Sequence, residues 1–315
     1  MNGQPWSKTT LLGLSLAVAF TGFGLAGTGP AATQSVSAAA ASGQSNAYDR
    51  FNDYVSRAPS PSSLSLARAV LVNHAKTFTG HQATLAVLKL ENAQNAYLNK
   101  MTDRLWEEKV QDKIISVYEP GMTLNQVLGK VSGTEAAVVL QDMQAIHYKL
   151  ETTEGIFYPI IDYKDYRQFK TRVKDDIAAY IDLQSAESEQ PSAADAGLII
   201  SWDEAAKRAL DREAFIARHK TSNRIEDVKR LFEGSKMMVF YGLDNTPLFE
   251  YTTKKVDPQA KAAYKKLLDG KSDAEIKASG VLTHMKGLLD LLEKTGDKQT
   301  AQVENYVKKN VPLNF

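Results

Sequence analysis

The feature that most narrows what this chain can fold into is a scarcity of helix breakers beside apolar side chains that recur every three, four or seven residues. Residues 42–315 hold 13 glycines and 8 prolines, about 8% against roughly 12% in average proteins. Within that stretch Val87, Leu90, Tyr97, Met101 and Leu105 share one helical face, as do Ala136, Val139, Met143, His147 and Leu150. The same spacing links Tyr166, Phe169, Val173, Ile177 and Ile181, then Ala206, Leu210 and Ala217, then Ile225, Val228, Phe232 and Val239, and finally Val281, Met285, Leu288 and Leu292. A stripe with this period is the buried face of an amphipathic helix.

Start signals accompany the stripes. Thr123 with Gln126, Ser132 with Glu135, Ser201 with Glu204, Asn223 with Glu226, and Ser272 with Glu275 have the spacing of capping boxes, in which a small polar side chain and a residue three later satisfy each other's main-chain N–H groups. The expected fold is therefore mainly α, a multi-helix bundle or orthogonal helical array with little or no β-structure. One long helix is expected over residues 81–118, ending at Pro120-Gly121, and another from Tyr163 to Gln184. Three segments resist the helical reading: 155–161, 198–200 and 237–253, all rich in aromatic or branched residues. For the last, a hairpin turning at Asp244-Asn245 competes with a helix to about Tyr241 and an ordered loop, and the second is preferred because Gly242 and Pro247 read as a helix stop. Residues 42–62 read as an exposed lead-in, 63–184 and 197–315 as helical subdomains, and the polar stretch 185–196 as a loop or linker between them.

The amino terminus reads as an address. Lys8 is its one charged side chain, Leu11–Ala26 is almost free of polarity, and small residues follow up to Ala41. These are the parts of a secretory signal peptide over residues 1–41, and the apolar run is shorter than the ~20 residues that span a bilayer. With no second such run downstream, the mature chain is expected to be soluble and exported, with no membrane span after cleavage. The chain has no cysteine, so lipid attachment to a thiol, disulfides and thiol chemistry are excluded. Export without disulfides points to a secreted or envelope-associated protein of a Gram-positive bacterium.

Charge and chemistry exclude more than they assign. Beyond residue 41 the 37 basic and 37 acidic residues balance, so there is no electrostatic footprint for nucleic acid. Residues 254–315 carry 12 lysines against 8 acids, a mildly basic solvated surface. The five histidines, His74, His81, His147, His219 and His284, fall in no metal-binding spacing, and no metal or cofactor is expected. His147 and Glu151, placed one helical turn apart, are the nearest approach to a catalytic pair. Asp269 to Glu275 fails as a calcium loop because Ala274 stands where glycine is required.

One motif occurs twice. Pro159-Ile160-Ile161-Asp162-Tyr163 and Pro247-Leu248-Phe249-Glu250-Tyr251 both read proline, two apolar residues, acid, tyrosine. Aromatic residues gather around these irregular segments, where loops on a helical scaffold often carry function. The candidate ligand surface lies where the loops after Gly155 and Gly242 meet, with Tyr158, Tyr163 and Tyr251 giving contact area and Asp162 and Asn245 giving polar orientation. The expected role is a non-catalytic one, binding an envelope or extracellular protein, peptide or glycan. A secreted hydrolase with a carboxylate or His/Glu site is the competing class, and an exported sensor or inhibitor domain a third. The intact mass of the exported protein is expected to place its first residue directly after one of residues 38–41.

Overall fold

The computed structural model describes residues 38–312, with side chains described from residue 47. All but the last four residues of the expected leader lie outside the described residues. Within them the chain forms fourteen α-helices and three two-stranded antiparallel hairpins, a mainly helical fold as the stripes require.

Helices α1 (Ala38–Ser56) and α2 (Pro61–His74) form the first helical pair. Ser60 and Ser63 complete a capping box at the start of α2, with Pro61 at the first position, where a missing N–H costs nothing. Here the expected lead-in is corrected: α1 runs through it, and its Ala47 and Phe51 are fully buried. Tyr48, Tyr54 and Val55 pack beside them against the first core, and the five residues have the spacing of one helical face. Helix α3 (Gly80–Leu105) stops well short of Tyr118. Its end is fixed by α4 (Glu108–Ile115), whose Gln111 Nε2 donates to the Leu105 carbonyl at 2.9 Å, satisfying a terminal acceptor that a continuous helix would have used internally.

Helices α5 (Leu124–Lys130) and α6 (Glu135–Ala145) follow. The Thr123–Gln126 box is complete, whereas α6 is capped by Thr134 and not by Ser132. His147 does not continue the α6 stripe: at φ +55° it turns the chain into β1 (Tyr148–Thr153), which pairs with β2 (Ile156–Ile161). The expected helix from Tyr163 to Gln184 is broken into α7 (Tyr163–Tyr166), a single 3-10 turn (Arg167–Phe169) and α8 (Asp175–Glu189). The break seats α8 on α3, with the Lys174 N–H donating to Thr84 Oγ1 at 2.9 Å.

Strands β3 (Ala193–Ala194) and β4 (Gly197–Leu198) make the second hairpin, between α8 and α9 (Trp202–Arg218). The 185–196 stretch is therefore no exposed linker: Ser185, Ser188 and Ser192 are buried. Glu187 is the reason. It accepts from the Ser192 N–H at 2.7 Å and from Arg212 Nη2 at 2.8 Å and Arg208 Nη1 at 3.1 Å, both arginines being buried on α9. Burial alone would raise its pKa, but Arg212, Ser192 and Arg208 bring it below the usual carboxylate value.

Helix α10 (Ile225–Phe240) leads into β5 (Gly242–Leu243) and β6 (Thr246–Pro247), the third hairpin, turning at Asp244-Asn245. The helix stops where the sequence places its end, at Phe240, and the segment after it is the hairpin, confined to two residues per strand. Gly242 makes it possible: at φ +78°, a Cβ there would lie 2.4 Å from both the Leu248 nitrogen and the Thr246 carbonyl. Helices α11 (Pro258–Leu268), α12 (Asp273–Ala278), α13 (Gly280–Lys294) and α14 (Ala301–Asn310) complete the fold, the Ser272–Glu275 box starting α12.

The buried apolar residues form two clusters. One runs from Ala47 to Ile181 and takes in Phe215 and Val228; the other runs from Ile200 to Val311. Helices α9 and α10 belong to both, Trp202 and Phe240 packing in the second while Phe215 and Val228 pack in the first.

A polar cluster sits inside the first. Glu91 of α3, 2% exposed, accepts from the hydroxyls of Tyr163 and Tyr180 at 2.6 Å each, and from Arg224 Nη2 at 2.7 Å and Nε at 3.0 Å. Arg224 occupies the N-cap of α10 without a capping side-chain bond, so the expected Asn223–Glu226 box does not form. The guanidinium is drawn to Glu91 instead. Beside it Gln94 donates to the Ile146 carbonyl at 2.7 Å and accepts from the Tyr166 hydroxyl. Removing one partner of a buried ion pair leaves the other charge unpaired. Arg224→Met is accordingly expected to cost about 3–5 kcal/mol, read from urea unfolding followed by circular dichroism.

Candidate functional site: a junction of three hairpin turns

Each hairpin connects two helices, and the three turns meet. In the first, Glu154 and Gly155 turn at φ +49° and +77°; in the second, Asp195 and Ala196 turn at φ +49° and +55°. These are the paired positive φ values of the turn whose twist matches two flanking strands. The Asp195 side chain reaches the first turn, its Oδ1 accepting from the Thr153 hydroxyl at 2.5 Å and the Glu154 N–H at 2.9 Å. Its own carbonyl accepts from Asn245 Nδ2 of the third turn. The Ala196 carbonyl accepts from the Asn245 N–H at 2.8 Å, and the Leu198 N–H donates to Thr246 Oγ1 at 3.1 Å.

The middle turn is thus held from both sides. Ala196 has a Cβ in the left-handed region, where a non-glycine side chain crowds the following carbonyl. Such a conformation persists where the surroundings over-determine it, and here two other hairpins do so.

The repeated five-residue motif follows the first and third hairpins, and Leu198-Ile199-Ile200-Ser201-Trp202, a different sequence, holds the same place after the second. In all three segments the fourth residue caps the next turn of chain. Asp162 accepts from the Lys164 N–H at 3.1 Å, Ser201 from the Glu204 N–H at 3.2 Å, and Glu250 from the Thr252 N–H at 2.9 Å and from the Thr253 N–H. Hydrogen bonds from Thr253 and Thr252 hold the Glu250 carboxyl down to about 2.

The five residues expected at the site divide. Asn245 is central to the junction, and Tyr251, 60% exposed, donates its hydroxyl to the Asp244 carbonyl at 3.0 Å. Tyr158 is half-buried on β2 opposite Glu151, and burial, with Glu151 and Asp195 nearby, raises its pKa. Asp162 and Tyr163 stand apart, at the far end of β2. There Asp162 is a helix cap and Tyr163 is buried against Glu91, with a pKa pushed well above its ordinary value by burial and that carboxylate.

The residues that sequence reasoning missed are Thr153, Glu154, Asp195 and Ala196, together with two exposed apolar side chains, Ile156 (41%) and Ile199 (50%). Asp-Ala-Gly between two apolar stretches was the available turn signal, masked by the polar residues before it.

The His147–Glu151 pair of the competing hydrolase reading does not form. Glu151 lies on β1 and binds Lys149 Nζ at 2.9 Å. His147 Nδ1 lies 3.4 Å from Asp165, whose carboxylate is already held by Arg68 through Nε at 2.8 Å and Nη2 at 2.5 Å. Burial, followed by Arg68, lowers the His147 pKa against the opposite pull of Asp165 and Asp162.

An open depression of about 720 Å³ between the end of α1 and α3, lined by Asn52, Arg57, Lys89 and Asn92, lies away from the three turns. Among the described residues, no group of three or more histidines or carboxylates is placed to hold a metal ion, and no helix is long and apolar enough to cross a membrane.

No family model, curated protein or solved structure matches the chain.

Because Ala196 is held in a conformation that glycine adopts without crowding, Ala196→Gly is expected to stabilise the protein by about 1 kcal/mol. The midpoint of chemical unfolding measures this.

Proposed function

We propose that this is an exported, non-catalytic helical protein of the cell envelope or surrounding medium, which binds a partner protein, peptide or glycan through the face built around the three hairpin turns. One observation carries the reading. Three inter-helix connections are tied into one junction by hydrogen bonds between turns, at the expense of left-handed backbone at Asp195 and Ala196, while Ile156, Ile199 and Tyr251 stand exposed beside those turns. A fold gains little core from such an arrangement. A rigid frame that presents apolar and aromatic side chains is what recognition uses, since little ordering entropy remains to be lost on binding.

The leader-like amino terminus supports export, and the balanced charge beyond residue 41 supports a partner recognised by shape and apolar contact more than by field. Binding is favoured over hydrolysis by the state of the best histidine: its carboxylate neighbour is occupied by Arg68.

The test is recovery of partners from the organism's own envelope and medium on immobilised protein. Ile199→Asp and Tyr251→Ala are expected to lose the recovered partner while melting within about 2 °C of the parent, since both side chains are exposed. Unchanged recovery by both variants would sink the proposal.

A further inference from the structure

The two edges of the β1–β2 hairpin are treated differently. Its two-residue turn makes Thr153↔Ile156, Glu151↔Tyr158 and Lys149↔Ile160 the pairs that exchange main-chain hydrogen bonds, and the residues between them point their N–H and C=O groups outward. The bond from the Asp162 N–H to the His147 carbonyl, 3.0 Å, continues the alternation.

On β2 the outward edge is tied down at Phe157. Gln111 Oε1 accepts from the Phe157 N–H at 3.1 Å, while Gln111 Nε2 and Trp106 Nε1 both donate to the Phe157 carbonyl at 2.9 Å. Pro159 has no N–H to leave unmet. On β1 the outward groups belong to Tyr148, which is buried, and to Leu150 and Thr152, which are half-buried, and among the described residues no protein group bonds their main chain on that side. An open row of such groups is a template for a further strand, which proteins ordinarily block with proline, charge or a covering element. This hairpin occupies one edge at Phe157 and Pro159 and leaves the main chain of the other without protein partners.

The open edge is complementary to itself. Laid antiparallel on a second copy with Leu150 facing Leu150, the run Lys149-Leu150-Glu151 sets each lysine across from the other chain's glutamate. Both side chains stand on the same face of the strand, and within one chain they already lie 2.9 Å apart. Opposite charges facing each other across strands contribute about 0.2–1 kcal/mol per pair, and like charges cost a similar amount. Sliding the register by one step of the alternation in either direction brings Lys149 onto Lys149 or Glu151 onto Glu151. Charge therefore selects the Leu150-centred register, in which the outward N–H and C=O of the half-buried Leu150 find partners on the second copy.

We propose that two copies of this chain associate through their β1 edges, antiparallel and centred on Leu150, to form a four-stranded sheet in the order β2-β1-β1-β2 across a two-fold axis. A self-complementary patch of this kind gives a closed dimer with no free copy of the patch left over. The proposal stands on the edge geometry and does not depend on the identity of any other partner.

Sedimentation velocity of the purified full chain over a concentration series tests it, with the melting temperature followed for every variant. A dimer in equilibrium with monomer is expected. Glu151→Lys and Lys149→Glu, each of which sets like charges opposite each other, should weaken it by roughly tenfold. The double variant Lys149→Glu/Glu151→Lys should restore association to near the parent value. Lys149 Nζ also donates to the Ser188 carbonyl, and the double variant separates the two effects, because a folding defect from losing that contact is not rescued by a second charge change. Leu150→Pro, which removes an outward N–H and no bond of the β1–β2 ladder, should abolish association. A monomer at all concentrations, or a dimer that ignores these substitutions, as one carried by residues 1–41 would, overturns the proposal.

Discussion

A single carboxylate sets the terms for the first core. Glu91 is buried on α3, and an unpaired charge in that position would cost several kcal/mol. Its partners come from three other places in the chain: Tyr163 at the start of α7, Tyr180 in α8 and Arg224 at the entry to α10. Burial and the carboxylate raise the pKa of both tyrosines far above the ordinary value, so they remain hydroxyl donors. Burial disfavours the charge on Arg224, and Glu91 and Tyr180 more than restore it. Four helical elements can therefore meet in one way only, because any other arrangement strands the charge.

Glu187 does for the second half of the structure what Glu91 does for the first. By engaging Arg208 and Arg212 of α9 and the Ser192 N–H, it fixes the end of α8, and with it the position of the second hairpin. Apolar stripes decide which face of each helix is buried; buried Glu91 and half-buried Glu187 help decide which helices meet and at what register. The hairpin junction then rests on helix ends already fixed by ionic contacts, which is why its turns can hold left-handed backbone without glycine at Asp195 and Ala196.

Much of the helical architecture was legible in the sequence, because the period of burial is a local property. The stripes through Val87, Met101 and Leu105, or through Val281, Met285 and Leu288, are buried as read. What failed was decided at long range. The helix of residues 81–118 breaks because Gln111 and Trp106 are needed at the edge of β2, and the box at Asn223 is lost because Arg224 answers to Glu91, 133 residues away. Of the candidate surface, Asn245 and Tyr251 were readable from turn chemistry and an exposed aromatic. Asp162 and Tyr163 lie at the far end of β2, because a five-residue motif describes how a hairpin exits and says nothing about which neighbours it meets. His147 had the right spacing for a stripe and the wrong backbone.

The contacts that close the junction join residues 41 and 50 positions apart, from Glu154 to Asp195 and from Asp195 to Asn245. Helical hairpins close locally and quickly, whereas contacts of this separation must wait for the chain between them to be ordered. The turns are therefore among the last parts of the molecule to acquire their final shape, after α8, α9 and α10 are in place. A surface assembled in that order exists only on a finished molecule: a partly folded chain would carry the sequence of the hairpin junction without its shape.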